Sequence, residues 1–142
     1  MNSFLLDTNI PSELTRSHPD PQVVQWVRTV SSDHLYLSVL TLGEIRKGIR
    51  MLQESTRRAQ LEQWFEFELR SWFAGRTLPV TDVIAERWGV LDGERQLQGL
   101  PLNTADGLIA ATALEHGLTV VTCNVKDFTG LGVSLFNPWE VR

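Results

Sequence analysis

The apolar positions of this chain change period several times along its length. Phe4-Leu5-Leu6 is a short continuous apolar run that stops at Asp7, the pattern of a strand built for burial. Pro11 begins a short helix. In "DPQVVQWVRTV", Asp20 takes the N-cap and Pro21 the first helical position, and Val23, Trp26, Val27 and Val30 share one face. "HLYLSV" predicts a strand, and "LTLGEIRKGIRML" a helix with Leu42, Ile45, Ile49 and Leu52 at helical spacing.

The longest periodic segment is "STRRAQLEQWFEFELRSWF", where Leu61, Trp64, Phe65, Leu69, Trp72 and Phe73 form a broad aromatic stripe. A stripe of this kind serves a core or a dimer interface more readily than a cofactor. Gly75 stops the helix. "TLPV" is a short strand, Thr81 or Asp82 caps the helix that follows, and "GLPLN" breaks the pattern. "TADGLIAATALEHG" is a helix of small residues ended by Gly117. "LTVVT" is an apolar run of the kind parallel sheets use, and "SLFNPW" closes the chain. This alternation predicts one α/β domain over residues 1–142, a three-layer α/β/α sandwich around a mostly parallel sheet.

Composition narrows the function classes. The chain has 142 residues, 42% of them hydrophobic and 21% charged, enough for a substantial core without staples. A single cysteine, Cys123, excludes an intramolecular disulfide framework and a Cys-rich zinc site. His18, His34 and His116 lack metal-ligand spacing. No stretch approaches a membrane span, and "MNSFLLD" lacks the pattern of a signal peptide, so a soluble cytoplasmic protein is expected. The formal charge of −4 argues against coating nucleic acid by bulk electrostatics. Charge is nevertheless uneven: Arg46, Lys47, Arg50, Arg57 and Arg58 crowd one segment, as a solvated helix face or a phosphate-contacting edge.

In open parallel sheets chemistry collects beyond the carboxyl ends of the strands. Asp7 and Asn124 follow two predicted strands there, Glu44 lies on the early turns of the helix after "LYLSV", and Asp106 lies in the opening turn of its helix. Each has a plain structural alternative. Asp7 suits an Asx-turn or cap, Asp106 a helix-dipole partner, and Glu44 a pair with Arg46 or Lys47 near the buried edge of its helix. Brought together without basic partners, the three carboxylates repel one another, and a hard divalent ion resolves the conflict.

"LLDTNIPSEL", "LSVLTLGEIRKGI", "LPLNTADGLIAATALEHGLTVVTCNVKDF" and "VSLFNPW" resemble, in order and over essentially the whole chain, a PIN domain of the VapC type, nearest its FitB-like branch. The resemblance implies a Rossmann-like α/β/α fold and an Mg²⁺- or Mn²⁺-dependent ribonuclease, hydrolysing RNA to leave a 3′-hydroxyl and a 5′-phosphate. It implies a homodimeric toxin paired with a small antitoxin, reaching operator DNA only through that partner, with no membrane role. By position it assigns metal binding to Asp7, Glu44 and Asp106, and supporting polar roles to Thr8, Asn9 and Thr122. Asn124 is a departure, since many relatives carry an Asp there. Its amide oxygen still suits catalysis beside the three acids, and Asp127 is placed to compensate. Cys123 reads as a small buried or half-buried residue.

Two other readings compete. An Asp at a strand tip with Thr122 and Lys126 superficially matches phosphoaspartyl chemistry, as in phosphatases or receiver domains. A catalytically weak PIN module acting inside an antitoxin–operator complex is the other.

Overall fold

The computed structural model describes residues 2–140. Five strands form its sheet: β1 (Phe4–Leu6), β2 (Leu35–Ser38), β3 (Thr77–Leu78), β4 (Thr119–Val121) and β5 (Leu135–Phe136). They pair in the order β3-β2-β1-β4-β5, and every pairing is parallel. The helices are α1 (Asn9–Leu14), α2 (Pro21–Thr29), α3 (Val39–Met51), α4 (Thr56–Gln63), α5 (Arg70–Trp72), α6 (Asp82–Leu97) and α7 (Thr104–His116). A π-helical stretch, Trp64–Leu69, joins α4 to α5, so the aromatic segment predicted as one helix is continuous but locally widened.

Side-chain alternation along the strands explains the three layers. Leu6, Leu35, Leu37 and Val121 point to one face, where Ile10, Ile45, Ile49, Phe65, Leu69 and Phe73 cover them. Leu5 and Val120 point to the other and meet Ile109, Ala110 and Ala113 of α7. Both faces are buried, which is why these strands read as continuous apolar runs. The small residues of α7 let its backbone approach the sheet closely.

The predicted signals mostly act where they stand in sequence. Asp20 caps α2 by accepting from the Gln22 N–H, and Thr81 caps α6 through the Ile84 N–H. Gly117 ends α7 at φ 65°, a left-handed position where a side chain would be strained. Some boundaries differ: Val39, read into the second strand, opens α3, and of "TLPV" only Thr77–Leu78 is strand. The first helix begins at Asn9, and Pro11 sits within its first turn, where no intrahelical N–H is required.

The chain order fixes a functional edge. From β1 the sheet grows outward through β2 and β3, then returns to the other side of β1 with β4. The order reverses between β1 and β4, and open parallel sheets bind ligands beyond the carboxyl ends of the strands at such a reversal. Among the described residues no helix is long and apolar enough to cross a membrane.

Candidate active site

Asp7 follows β1 at that reversal point and is only 6% exposed. Its backbone N–H extends the ladder to the Val121 carbonyl at 2.9 Å, which fixes the Cα beside β4. Its side chain then meets three donors. The Thr8 N–H reaches Oδ1 at 2.9 Å, and the Thr122 hydroxyl and the Asn9 amide reach Oδ2 at 2.8 and 3.2 Å. Burial raises the Asp7 pKa, the bonds from Thr122 and Thr8 oppose that rise, and the nearby Glu44 charge adds to it; the net direction is upward. Asp7 is not the side-chain cap of α1, for Thr8 holds the cap position and makes no such bond.

Thr122 is the hub of the polar turn. While donating to Asp7, its hydroxyl accepts from the Asn9 amide at 3.1 Å and the Asn124 N–H at 3.0 Å. Asn9 in turn accepts from the Cys123 N–H at 3.4 Å. The ends of β1 and β4 are thereby tied by side chains as well as by the ladder.

Glu44 arrives from α3, where the Thr8 hydroxyl donates to its Oε1 at 2.5 Å. Thr8 thus grips two carboxylates, one with its backbone and one with its side chain. Glu44 is exposed rather than set at the buried edge of its helix, and it pairs with neither Arg46 nor Lys47. Arg46 turns instead to Glu66.

Asp106 lies in the first turn of α7, where its N–H donates to the Asn103 side chain at 3.2 Å. Its pKa is raised to about 6, by burial first and then by the charges of Asp7, Asp127 and Glu44. That mutual repulsion places four acids in one electrostatic neighbourhood. A contrast shows what is missing: Glu13, as buried as Asp7, has Arg16 at 3.0 Å and the Asp20 N–H at 2.8 Å. No Arg or Lys pairs with Asp7, Glu44 or Asp106 among the described residues.

Among the described residues, no three His, Cys, Asp or Glu side chains stand close enough together to hold a metal ion as they are placed. An open, oxygen-only, uncompensated acidic set fits a hard divalent ion that keeps several of its own waters. It does not suit a soft metal that needs sulfur or imidazole.

Asn124 is held by its backbone bond to Thr122, with its side chain exposed beside the Cys123 thiol at 3.7 Å. Asp127, three residues after Asn124, is one of the charges that raise the Asp106 pKa. Cys123 is exposed, not buried, and its thiol pKa is pushed up by partial burial and then by the neighbouring acids, which disfavours a thiolate. Lys126 is exposed and makes no ion pair among the described residues, so the Lys partner of a phosphoaspartyl site is missing from Asp7.

Two supporting residues escape a sequence reading. Asn103, inside the segment that merely breaks the pattern, caps the helix that carries Asp106; an Asn three residues before an acid is the available signal. Gly107 is the other. A Cβ there would stand 2.7 Å from Trp88 Cδ1 and 2.9 Å from Leu102 Cδ2, so only glycine lets α6 and α7 close beneath Asp106.

Comparison with known proteins identifies the family of this fold. The model of the PIN domain family matches residues 4–130. Toxin FitB of Neisseria gonorrhoeae is 36% identical over 137 residues, covering 96% of this chain and 99% of the relative. The VapC ribonuclease Y4jK of Sinorhizobium fredii is 35% identical, covering 96% and 98%. The crystal structure of a FitAcB complex from Neisseria gonorrhoeae superposes with a TM-score of 0.92 at 36% identity, covering 97% of this chain and 99% of that one. A FitAB complex bound to a DNA fragment matches with the same TM-score at 34% identity, covering 98% and 97%. With β1 and β4 meeting at the acidic edge and the family model spanning nearly all of the fold, this chain belongs to the PIN domain family.

Proposed function

We propose that this chain is a divalent-metal-dependent ribonuclease and the toxin of a toxin–antitoxin pair. The observation that supports the reading is that the charge of Glu44 on α3 raises the pKa of both Asp7 after β1 and Asp106 on α7, while no cation pairs with the three among the described residues. Relatives named as ribonuclease and toxin share nearly the full length of the chain, which supports the reaction class.

Mg²⁺, with Mn²⁺ as an alternative, is the cofactor this donor set suits, and Asp7, Asp106 and Glu44 are the residues that would hold it. When bound, such an ion lowers the pKa of water and offsets charge developing on phosphorus. The chain's own residues do the rest. The Thr8, Asn9 and Thr122 donors fix Asp7 in one orientation, and the Thr8 hydroxyl holds Glu44 in register with it. Asp106, ionised beside such an ion, would orient the water that attacks in line. Asn124 adds a neutral oxygen at the rim, and the products are a 3′-hydroxyl and a 5′-phosphate.

The partner expected is a small antitoxin whose Arg would satisfy the free acids, with a homodimer of this chain in the complex and operator DNA reached through the antitoxin. The structures of similar proteins as FitAB and FitAcB complexes support that assignment. A second reading, a weak nuclease serving mainly in the operator complex, draws on the amide at Asn124.

Cleavage of a mixed RNA by the purified protein, in Mg²⁺, in Mn²⁺ and with chelator, beside Asp7→Asn, tests the proposal. Metal-dependent cleavage absent from the variant is expected, a loss of about 10³-fold if the missing ligand removes several kcal/mol of charge stabilisation. Equal cleavage by Asp7→Asn would overturn the assignment.

A further inference from the structure

An acidic site that takes a polyanion needs cations nearby to hold the strand, yet most basic side chains here are committed to the fold. Of the cation-rich segment, Arg46 is bound by Glu66, Arg58 by Glu62, and Arg57 by the Thr15 carbonyl. Lys47 and Arg50 are left. The chain has two lysines, Lys47 and Lys126. Both are exposed, and neither forms an ion pair among the described residues.

Their places in the fold are complementary. Lys47 is one turn beyond Glu44 on α3 and about 60° round the axis from it, opposite the buried Ile45 and Ile49. Arg50 is about 120° from Glu44 and faces away. Lys126 lies in the 3-10 turn Val125–Asp127, between Asn124 and the Asp127 whose charge reaches Asp106.

We infer that Lys47 and Lys126 grip the backbone phosphates on either side of the scissile one, so that an RNA strand crosses the acids from the α3 rim to the β4–β5 loop. This rests on the ribonuclease reading above. A lysine ammonium is a compact charge suited to a phosphate whose angle varies along a flexible strand. Each such contact contributes about 0.7 to the slope of log affinity against log salt for a single strand.

The test is anisotropy of a labelled single-stranded RNA in Mg²⁺ over a salt series, with Asp7→Asn in every protein so that the probe survives. Lys47→Ala and Lys126→Ala should each reduce the slope by about 0.7 and the pair by about 1.4, while Lys→Arg at either position keeps it. In the catalytically intact background the same Ala variants should raise KM and leave kcat unchanged. Arg50→Ala should leave the slope unchanged; a drop equal to that of the lysines would overturn the clamp in favour of a diffuse field. An unchanged slope in the double variant, with normal cleavage by the unsubstituted protein, overturns this inference alone. A reduced slope with no cleavage in any metal keeps the lysines as phosphate contacts and overturns the ribonuclease reading.

Discussion

The Thr122 hydroxyl donates to Asp7 Oδ2 at 2.8 Å, joining residues 115 positions apart in the chain. It is the largest influence opposing the burial that raises the Asp7 pKa. Thr122 is fully buried, so Thr122→Val keeps the shape and deletes the bond. Asp7 should then be still harder to ionise, and Mn²⁺ affinity should fall about 10- to 100-fold, the usual cost of losing a group that orients a ligand. Calorimetric titration with Mn²⁺ checks this. Unaltered affinity would mean that Asp7 does not meet the metal.

The raised pKa of Asp106 predicts a pH signature with a defined sign. Its value in the fold, about 6, lies above the ordinary 3.8 of an aspartate, so the fold favours the protonated form. The metal-free protein should therefore have the full stability of this group below about pH 3.8 and lose it as pH rises through 6. Above pH 6, Asp106→Asn should melt higher than the unsubstituted protein without metal. That gap should close at acid pH or on adding Mg²⁺, which favours the ionised carboxylate. Thermal melts across pH, with and without Mg²⁺, read both effects, and an Asp106→Asn protein that is less stable throughout would contradict them.

Asn124 gives a prediction of the opposite character. Its side chain is exposed beside an acidic cluster, so Asn124→Asp adds a carboxylate without disturbing a packed core. If the residue faces the bound ion, the variant should hold Mn²⁺ several-fold more tightly, because ligand charge count tunes affinity for hard cations. The metal-free variant should melt slightly lower through added repulsion. The same affinity in both proteins would remove Asn124 from the site and leave Asp127 as its fourth acid.

What the sequence discloses here is whatever is decided locally. Asp20 and Pro21 start α2, Gly117 ends α7, and continuous apolar runs mark strands buried on both faces, because each signal acts within a few residues. Asp7 at a strand tip is legible for the same reason. The fates of Arg46 and Arg57 are not, since their partners lie 20 and 42 residues away and depend on how helices are placed, whereas Arg58 meets Glu62 one turn on within α4. Glu44 looked half-buried from Leu42 and Ile45, but the helix turns it outward to Thr8, 36 residues back. The π-helical stretch Trp64–Leu69 also escapes, because its aromatic spacing is equally that of an α-helix.

Gly107 separates a packing effect from a chemical one. It neighbours Asp106 in the first turn of α7, and a Cβ there would stand 2.7 Å from Trp88 Cδ1 and 3.0 Å from Trp88 Nε1. Gly107→Ala improves helix propensity by about 1 kcal/mol, yet overpacking against an indole costs about 1–3 kcal/mol. The net expectation is a lower melting temperature and a displaced Asp106, hence weaker Mn²⁺ binding although no ligand has changed. The indole N–H of Trp88 is buried without a partner among the described residues, so Trp88→Phe sacrifices no hydrogen bond seen there and makes room. Adding Trp88→Phe to Gly107→Ala should restore metal affinity together with part of the stability. If stability returns and affinity does not, the close approach of α6 to α7 is not what positions Asp106.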